Sequence, residues 1–83
     1  MNNTSYNILV CPTGFTPYDG DVSGPGLVGV YAANYAKCAA DCNENNNCNG
    51  FEYSQSKHMC KLVSQKTPTA PKYGDYQFCS KGK

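Results

Sequence analysis

The chain has no arginine and no tryptophan, a single histidine and no long hydrophobic run, and each of these lacks removes a class of function. All 7 basic residues are lysines, set against 6 acidic ones for a net charge of +1. A balance this even builds no field that would gather nucleic acid. Without a guanidinium fork there is also no bidentate grip on a phosphate, a sulfate or a guanine edge. Nucleic acid and high-affinity heparin are therefore not expected as partners. The aliphatic stretch Ile8-Leu9-Val10 is too short for a signal-peptide core and follows no basic segment, and no apolar run approaches a membrane span. No membrane insertion is expected. The chain reads as a mature domain or excised module with an added initiator Met1, any export signal having been removed.

What the chain has in quantity is cysteine, 6 in 83 residues. A domain of this length buries too little apolar surface to be comfortable without staples, so an even cysteine count in it reads as a disulfide framework. Three bridges would each stabilise the fold by on the order of 2 to 4 kcal/mol as an upper figure, which together is comparable to the whole stability of a small domain. Disulfides persist where thiols are not kept reduced, so the expected location is extracellular, secreted or at a cell surface.

Along the chain the pattern is that of one module over residues 6–79, with short polar ends at 1–5 and 80–83 and no internal repeat. Tyr6 to Cys11 reads as a strand, and so does Tyr76 to Cys79, where Tyr76 and Phe78 share a face by period-two alternation. Asn34 to Asn45 is the one convincing helix, with Asn34 as N-cap, alanines in its body and a narrow apolar stripe of Tyr35, Cys38, Ala39 and Cys42. The asparagine-rich run Asn43 to Asn49 ends it, since asparagine tolerates the left-handed conformation. Cys48 to Ser54 alternates as a half-buried strand should, with Phe51 and Tyr53 inward and Glu52 toward water. Gln55 to His58 is a hairpin loop, Met59 to Val63 the returning strand, and Thr67 to Pro71 a proline-punctuated surface connection. The fold class expected is small, disulfide-rich α+β, one helix on an antiparallel sheet.

Several local motifs fit sharper chemistry only in part. Gly24-Pro25-Gly26-Leu27-Val28-Gly29 matches G-x-G-x-x-G, but a dinucleotide fold needs a strand before it, a helix after it and far more chain; turn glycines are the better reading. Asp19 to Gly24 resembles the first half of a calcium loop, yet Val30 stands where the bidentate Glu belongs. Zinc on thiolates plus His58 is a poor match, because the gap from Cys42 to Cys48 and two remaining cysteines are left unexplained. No metal, cofactor or catalytic residue is expected, and His58 reads as a solvated loop residue.

Cys38-x3-Cys42-x5-Cys48, then Asn49-Gly50-Phe51-Glu52-Tyr53 and Cys60-Lys61-Leu62, resembles the PAN/apple domain family over Cys11 to Cys79. Gly20-Asp21-Val22 resembles the family's segment before the helix, and the outer pair Cys11 and Cys79 resembles the six-cysteine apple variant. The glycine-rich stretch before the helix and the lack of tryptophan depart from it. Spacing alone leaves the connectivity open. The resemblance implies Cys38 with Cys60, Cys42 with Cys48, and Cys11 with Cys79. It also implies a non-enzymatic module that binds a glycan or an extracellular protein, in adhesion or recognition.

Seven of the ten aromatics are tyrosines, which offer a flat apolar face and a hydroxyl together. Tyr35, Phe51, Tyr53, Tyr76 and Phe78 fall on inward faces and read as packing. Tyr18 and Tyr73, beside turns and prolines, are the candidate ligand-binding aromatics, with Lys57, His58 and Lys72 as a second set whose bland reading is an ordinary solubilising surface. Asn2 and Asn3 head overlapping glycosylation patterns. Carbohydrate is expected ahead of protein as the ligand, the alternatives being a structural or matrix unit and a secreted protein antagonist. Intact mass with and without reductant checks the framework: six cysteines in three bridges lie six hydrogens below the reduced form, and free thiols or bound metal would overturn it.

Overall fold

The computed structural model describes residues 10–82. Five strands form one antiparallel sheet: β1 (Phe15–Tyr18), β2 (Val28–Tyr31), β3 (Gly50–Ser54), β4 (Met59–Val63) and β5 (Tyr76–Lys81), in spatial order β1-β5-β3-β4-β2. A single helix, α1 (Tyr35–Asn43), lies on one face. Its start is set locally, since the Asn34 side chain accepts a hydrogen bond from the Lys37 N–H at 2.9 Å. Cys38, Ala39 and Cys42 are its buried positions, the stripe that the sequence predicts, with Tyr35 half-buried beside them.

Three disulfides join the elements: Cys38 to Cys60 ties α1 to β4, Cys42 to Cys48 closes the asparagine-rich turn, and Cys11 to Cys79 fastens the start of the described chain to β5. With Phe51, Tyr53 and Leu62 these cysteines make the main core. Tyr53 packs edge-on against Tyr35, ring centroids 4.6 Å apart, and donates its hydroxyl to Ala32 O at 2.8 Å. Burial pushes the Tyr53 phenol pKa above its ordinary value.

The opposite face of the sheet is also covered, and here the structure corrects the sequence reading. Glu52, expected in water, is fully buried, and every residue of β3 is buried with it. The cause is a second layer of chain. Asp21 and Ala70 form an isolated antiparallel bridge, so that residues 20–24 and 67–71 are laid together over this face. Gly20 is required there: a Cβ would come within 2.5 Å of the Pro68 side chain. Beneath them Val22, Val63 and Phe78 form a smaller core, and Gly50 gives the Phe78 ring the space a Cβ would take. The inward aromatics therefore divide between two faces, Phe51 and Tyr53 under the helix, Phe78 and Tyr76 behind the sheet.

Further corrections concern the ends and the glycine-rich stretch. Of the strand expected over Tyr6 to Cys11, residues 6–9 lie outside the described residues, as do Asn2 and Asn3, while Val10 and Cys11 form a bend. β5 pairs instead with β1, whose register Phe15 with Lys81 and Thr16 with Ser80 draws Ser80 and Lys81 into the sheet and out of the polar end assigned to them. β1 and β2 were not foreseen. Each is four residues long and interrupted by Pro17 or Gly29, so neither has the run of alternation that marks a strand locally.

Glu52 forms a buried ion pair with Lys61, and removing one partner of such a pair strands the other, typically at a cost of 3 to 5 kcal/mol. Glu52→Ala is expected to lower unfolding stability by about 3 kcal/mol, the low end because Lys61 keeps two carbonyl partners. Glu52→Gln should lose distinctly less, since its amide oxygen can still accept from Val22 N–H. Equal losses in denaturant titrations would contradict this account.

Candidate functional site

The face away from α1 opens into a cleft of about 280 Å³ lined by Asp21, Gly24, Glu52, Lys61, Tyr73 and Tyr76. Its floor is a cross-strand pair: Glu52 on β3 stands opposite Lys61 on β4. The Lys61 ammonium lies 3.4 Å from Glu52 Oε2 and donates to Val22 O at 2.6 Å and Gly24 O at 2.7 Å. Glu52 Oε2 in turn accepts from Val22 N–H at 2.9 Å, so one ion pair holds the covering segment to the sheet. Glu52 Oε1 is buried and has no hydrogen-bond partner among the described residues.

The wall is aromatic. Tyr73 and Tyr76 flank a turn closed by Tyr76 N–H donating to Tyr73 O at 3.1 Å, and their rings lie 6.0 Å apart at 37°. Lys57 Nζ sits 5.9 Å from both ring centroids, within cation–π range. What brings this turn to the β3–β4 hairpin is Asp75, whose carboxylate accepts from Ser54 Oγ at 2.6 Å and from Ser56 N–H at 3.0 Å. The Ser54 hydroxyl, followed by the Ser56 amide, holds the Asp75 pKa below its ordinary value.

Of the residues singled out from the sequence, the structure brings Tyr73 and Lys57 together at this cleft. Lys72 precedes Tyr73 and is exposed, outside the lining. Tyr18 is on edge strand β1, its ring edge-on to Phe78 at 6.4 Å, and is not among the lining residues. His58 is exposed in the hairpin turn, as the sequence predicts, and it also makes contacts there: its Nδ1 lies 3.2 Å from the Tyr53 hydroxyl, its ring packs 5.7 Å from Tyr31, and its backbone takes a positive φ of 55°. Asp21, Glu52, Lys61 and Tyr76 were missed. The first signal for the floor was present, because a loop over Gln55 to His58 pairs Ser54 with Met59 and so sets Glu52 opposite Lys61.

No cysteine is free, and among the described residues no three His, Cys, Asp or Glu side chains cluster in a way that could hold a metal ion. No helix of the described residues is long and apolar enough to cross a membrane. A small three-disulfide sheet with one helix, and a cleft walled by tyrosines, is the context in which the sequence profile of the PAN domain matches residues 17–81. The chain belongs to the PAN domain family. Its six bridged cysteines and α+β fold agree with the apple-like form of that family. No curated protein and no solved structure gives a significant match. PAN domains are modules of protein or carbohydrate binding and adhesion, generally without catalysis and typically extracellular.

The Asp75 clamp in this PAN domain carries a pH signature. A carboxyl whose folded pKa lies below its unfolded value near 3.8 contributes stability that is complete above that value and is lost as pH falls through the lower folded one. Asp75→Asn should therefore lower the thermal midpoint at neutral pH and reduce its fall below about pH 4. An unchanged acid limb would remove Asp75 from that role.

Proposed function

We propose that this PAN domain is an extracellular carbohydrate-recognition module and that the cleft behind its sheet is the sugar site. The observation that supports the reading best is the pairing of an aromatic wall, Tyr73 and Tyr76, with the Asp21 carboxylate, which makes no hydrogen bond among the described residues. A pyranose presents apolar C–H faces that pack on tyrosine rings and hydroxyls that donate to carboxylates. The volume, about 280 Å³, is at the small end of ligand pockets and matches one sugar ring better than a peptide segment. Three disulfides suit an oxidising compartment.

A second reading, docking of a protein partner in a matrix or antagonist role, draws on a different surface. Leu27, Val28, Tyr31 and Met59 are exposed along β2 and the neighbouring β4, at an edge of the sheet with no charged residue in β2 itself. Exposed apolar edges of this kind favour protein contact.

A glycan array and polysaccharide panel probed with the oxidised domain separates the two. Specific glycan binding is expected, weakened about tenfold or more by Tyr73→Ala, equivalent to about 1.4 kcal/mol, and left nearly unchanged by Tyr18→Ala. Absence of any glycan signal, or loss with Tyr18→Ala in place of Tyr73→Ala, would sink the sugar site as drawn.

A further inference from the structure

Resting on the reading of the cleft as a sugar site, we infer that it selects uncharged sugars and rejects those bearing a carboxylate, sulfate or phosphate. The hydrogen-bonding groups that the cleft leaves available set this preference. An acidic sugar needs a positive charge or a set of free N–H donors to replace its water. The one cation in the lining, Lys61, has neither to give. Two of its protons go to Val22 O and Gly24 O, and its remaining side faces Glu52 Oε2 at 3.4 Å. Its charge is thus neutralised within the floor and its donors are turned toward the protein.

The remaining charged groups of the lining are acceptors. Asp21 is held through its backbone, its N–H donating to Ala70 O and its carbonyl accepting from Thr69 and Ala70, while its carboxylate makes no hydrogen bond among the described residues. Glu52 is fully buried beneath the cleft, so its carboxylate is out of a ligand's reach. With Lys61 cancelling Glu52, Asp21 is the unbalanced charge of the lining. An incoming anion meets the like charge of Asp21 and, among the lining side chains, only the two tyrosine hydroxyls as free donors, whereas a neutral pyranose meets the Asp21 carboxylate for its hydroxyls and two rings for its C–H face.

Lys72, exposed beside Tyr73 and outside the lining, pulls the other way, and so does Lys57. Its ammonium is exposed at the rim, 5.9 Å from the Tyr73 and Tyr76 centroids. There it is engaged with the same rings that the sugar would cover and is screened by solvent, which weakens its hold on an anion. Asp75, the nearest carboxylate on that turn, is occupied by Ser54 and Ser56. The selection therefore rests on Asp21 and on the engagement of Lys61.

The test is an array that carries the same oligosaccharides unsubstituted, sialylated and sulfated, followed by competition with the matched pairs methyl galactoside and galacturonate, and methyl glucoside and glucuronate. Neutral glycans are expected to bind, with their acidic counterparts weaker by about tenfold or more. Asp21→Asn, which keeps the backbone bridge to Ala70, should narrow that ratio to within about threefold. Lys57→Ala should leave it unchanged or widen it. Acidic glycans binding as well as neutral ones, or binding alone, would overturn the selection while leaving the sugar site standing. So would an Asp21→Asn variant that discriminates as the parent does. Binding of no glycan at all removes the sugar site and this inference with it.

Discussion

Of the three buried positions on α1, two are cysteines, and both are bridged to chain outside the helix. A nine-residue helix is far too short to be stable by its own hydrogen bonds, and with Ala39 as its remaining buried residue it brings little apolar area to the sheet. The covalent link from Cys38 to Cys60 therefore takes the place that leucine or phenylalanine side chains hold in a larger domain. It also sets the helix over β3 and β4, under which Phe51, Tyr53 and Leu62 assemble. Cys11 to Cys79 acts at longer range, closing nearly the whole described chain into one loop across 68 positions of sequence. In a loop-entropy account it is the bridge that most constrains the unfolded chain.

Because the helix face is stapled, the other face can be built from weaker material. It has no second helix and no large aliphatic cluster, only Val22, Val63 and Phe78 beneath two irregular segments joined by one β-bridge. What holds those segments down is polar: the Glu52–Lys61 pair and its bonds to Val22 and Gly24. A buried ion pair gains little over an apolar core of the same volume, but it is directional, and it fixes where the covering chain must lie. The tyrosine turn, fastened by Asp75 to the hairpin, completes the cleft. The division is a mechanical one: disulfides secure the scaffold on one side, and a hydrogen-bonded layer on the other shapes a cleft lined by Asp21, Tyr73 and Tyr76.

The legible parts of this chain are those whose signals are local. The helix follows from a capping asparagine and an apolar stripe at helical spacing, the central hairpin from alternation on both sides of a four-residue polar loop, and the bridged framework from the cysteine count and spacing. Tyr73 stood out because it neighbours a proline-rich connection, and Lys57 because it sits at a hairpin tip. Tyr76 was hidden by its own strand: period-two alternation places it beside Phe78, and alternation cannot tell a core position from one on the wall of an open cleft. Glu52 misled for a similar reason, since a charged residue opposite two aromatics reads as solvent-facing whenever the sheet is taken to have one covered side.

By itself, then, the sequence determined the class of fold, the helix, the hairpin and the dependence on disulfides, because each is written in neighbours a few residues apart. The site was decided by tertiary structure. Residues 21, 52, 61, 73 and 76 meet only after β5 inserts between β1 and β3 and after the segment at Asp21 bridges to Ala70. Those contacts join positions tens of residues apart through backbone pairing, which carries almost no side-chain signature. No local pattern announces that the sheet has a second covered face, and it is that cover which turns an ordinary cross-strand Glu–Lys pair into the floor of a cleft.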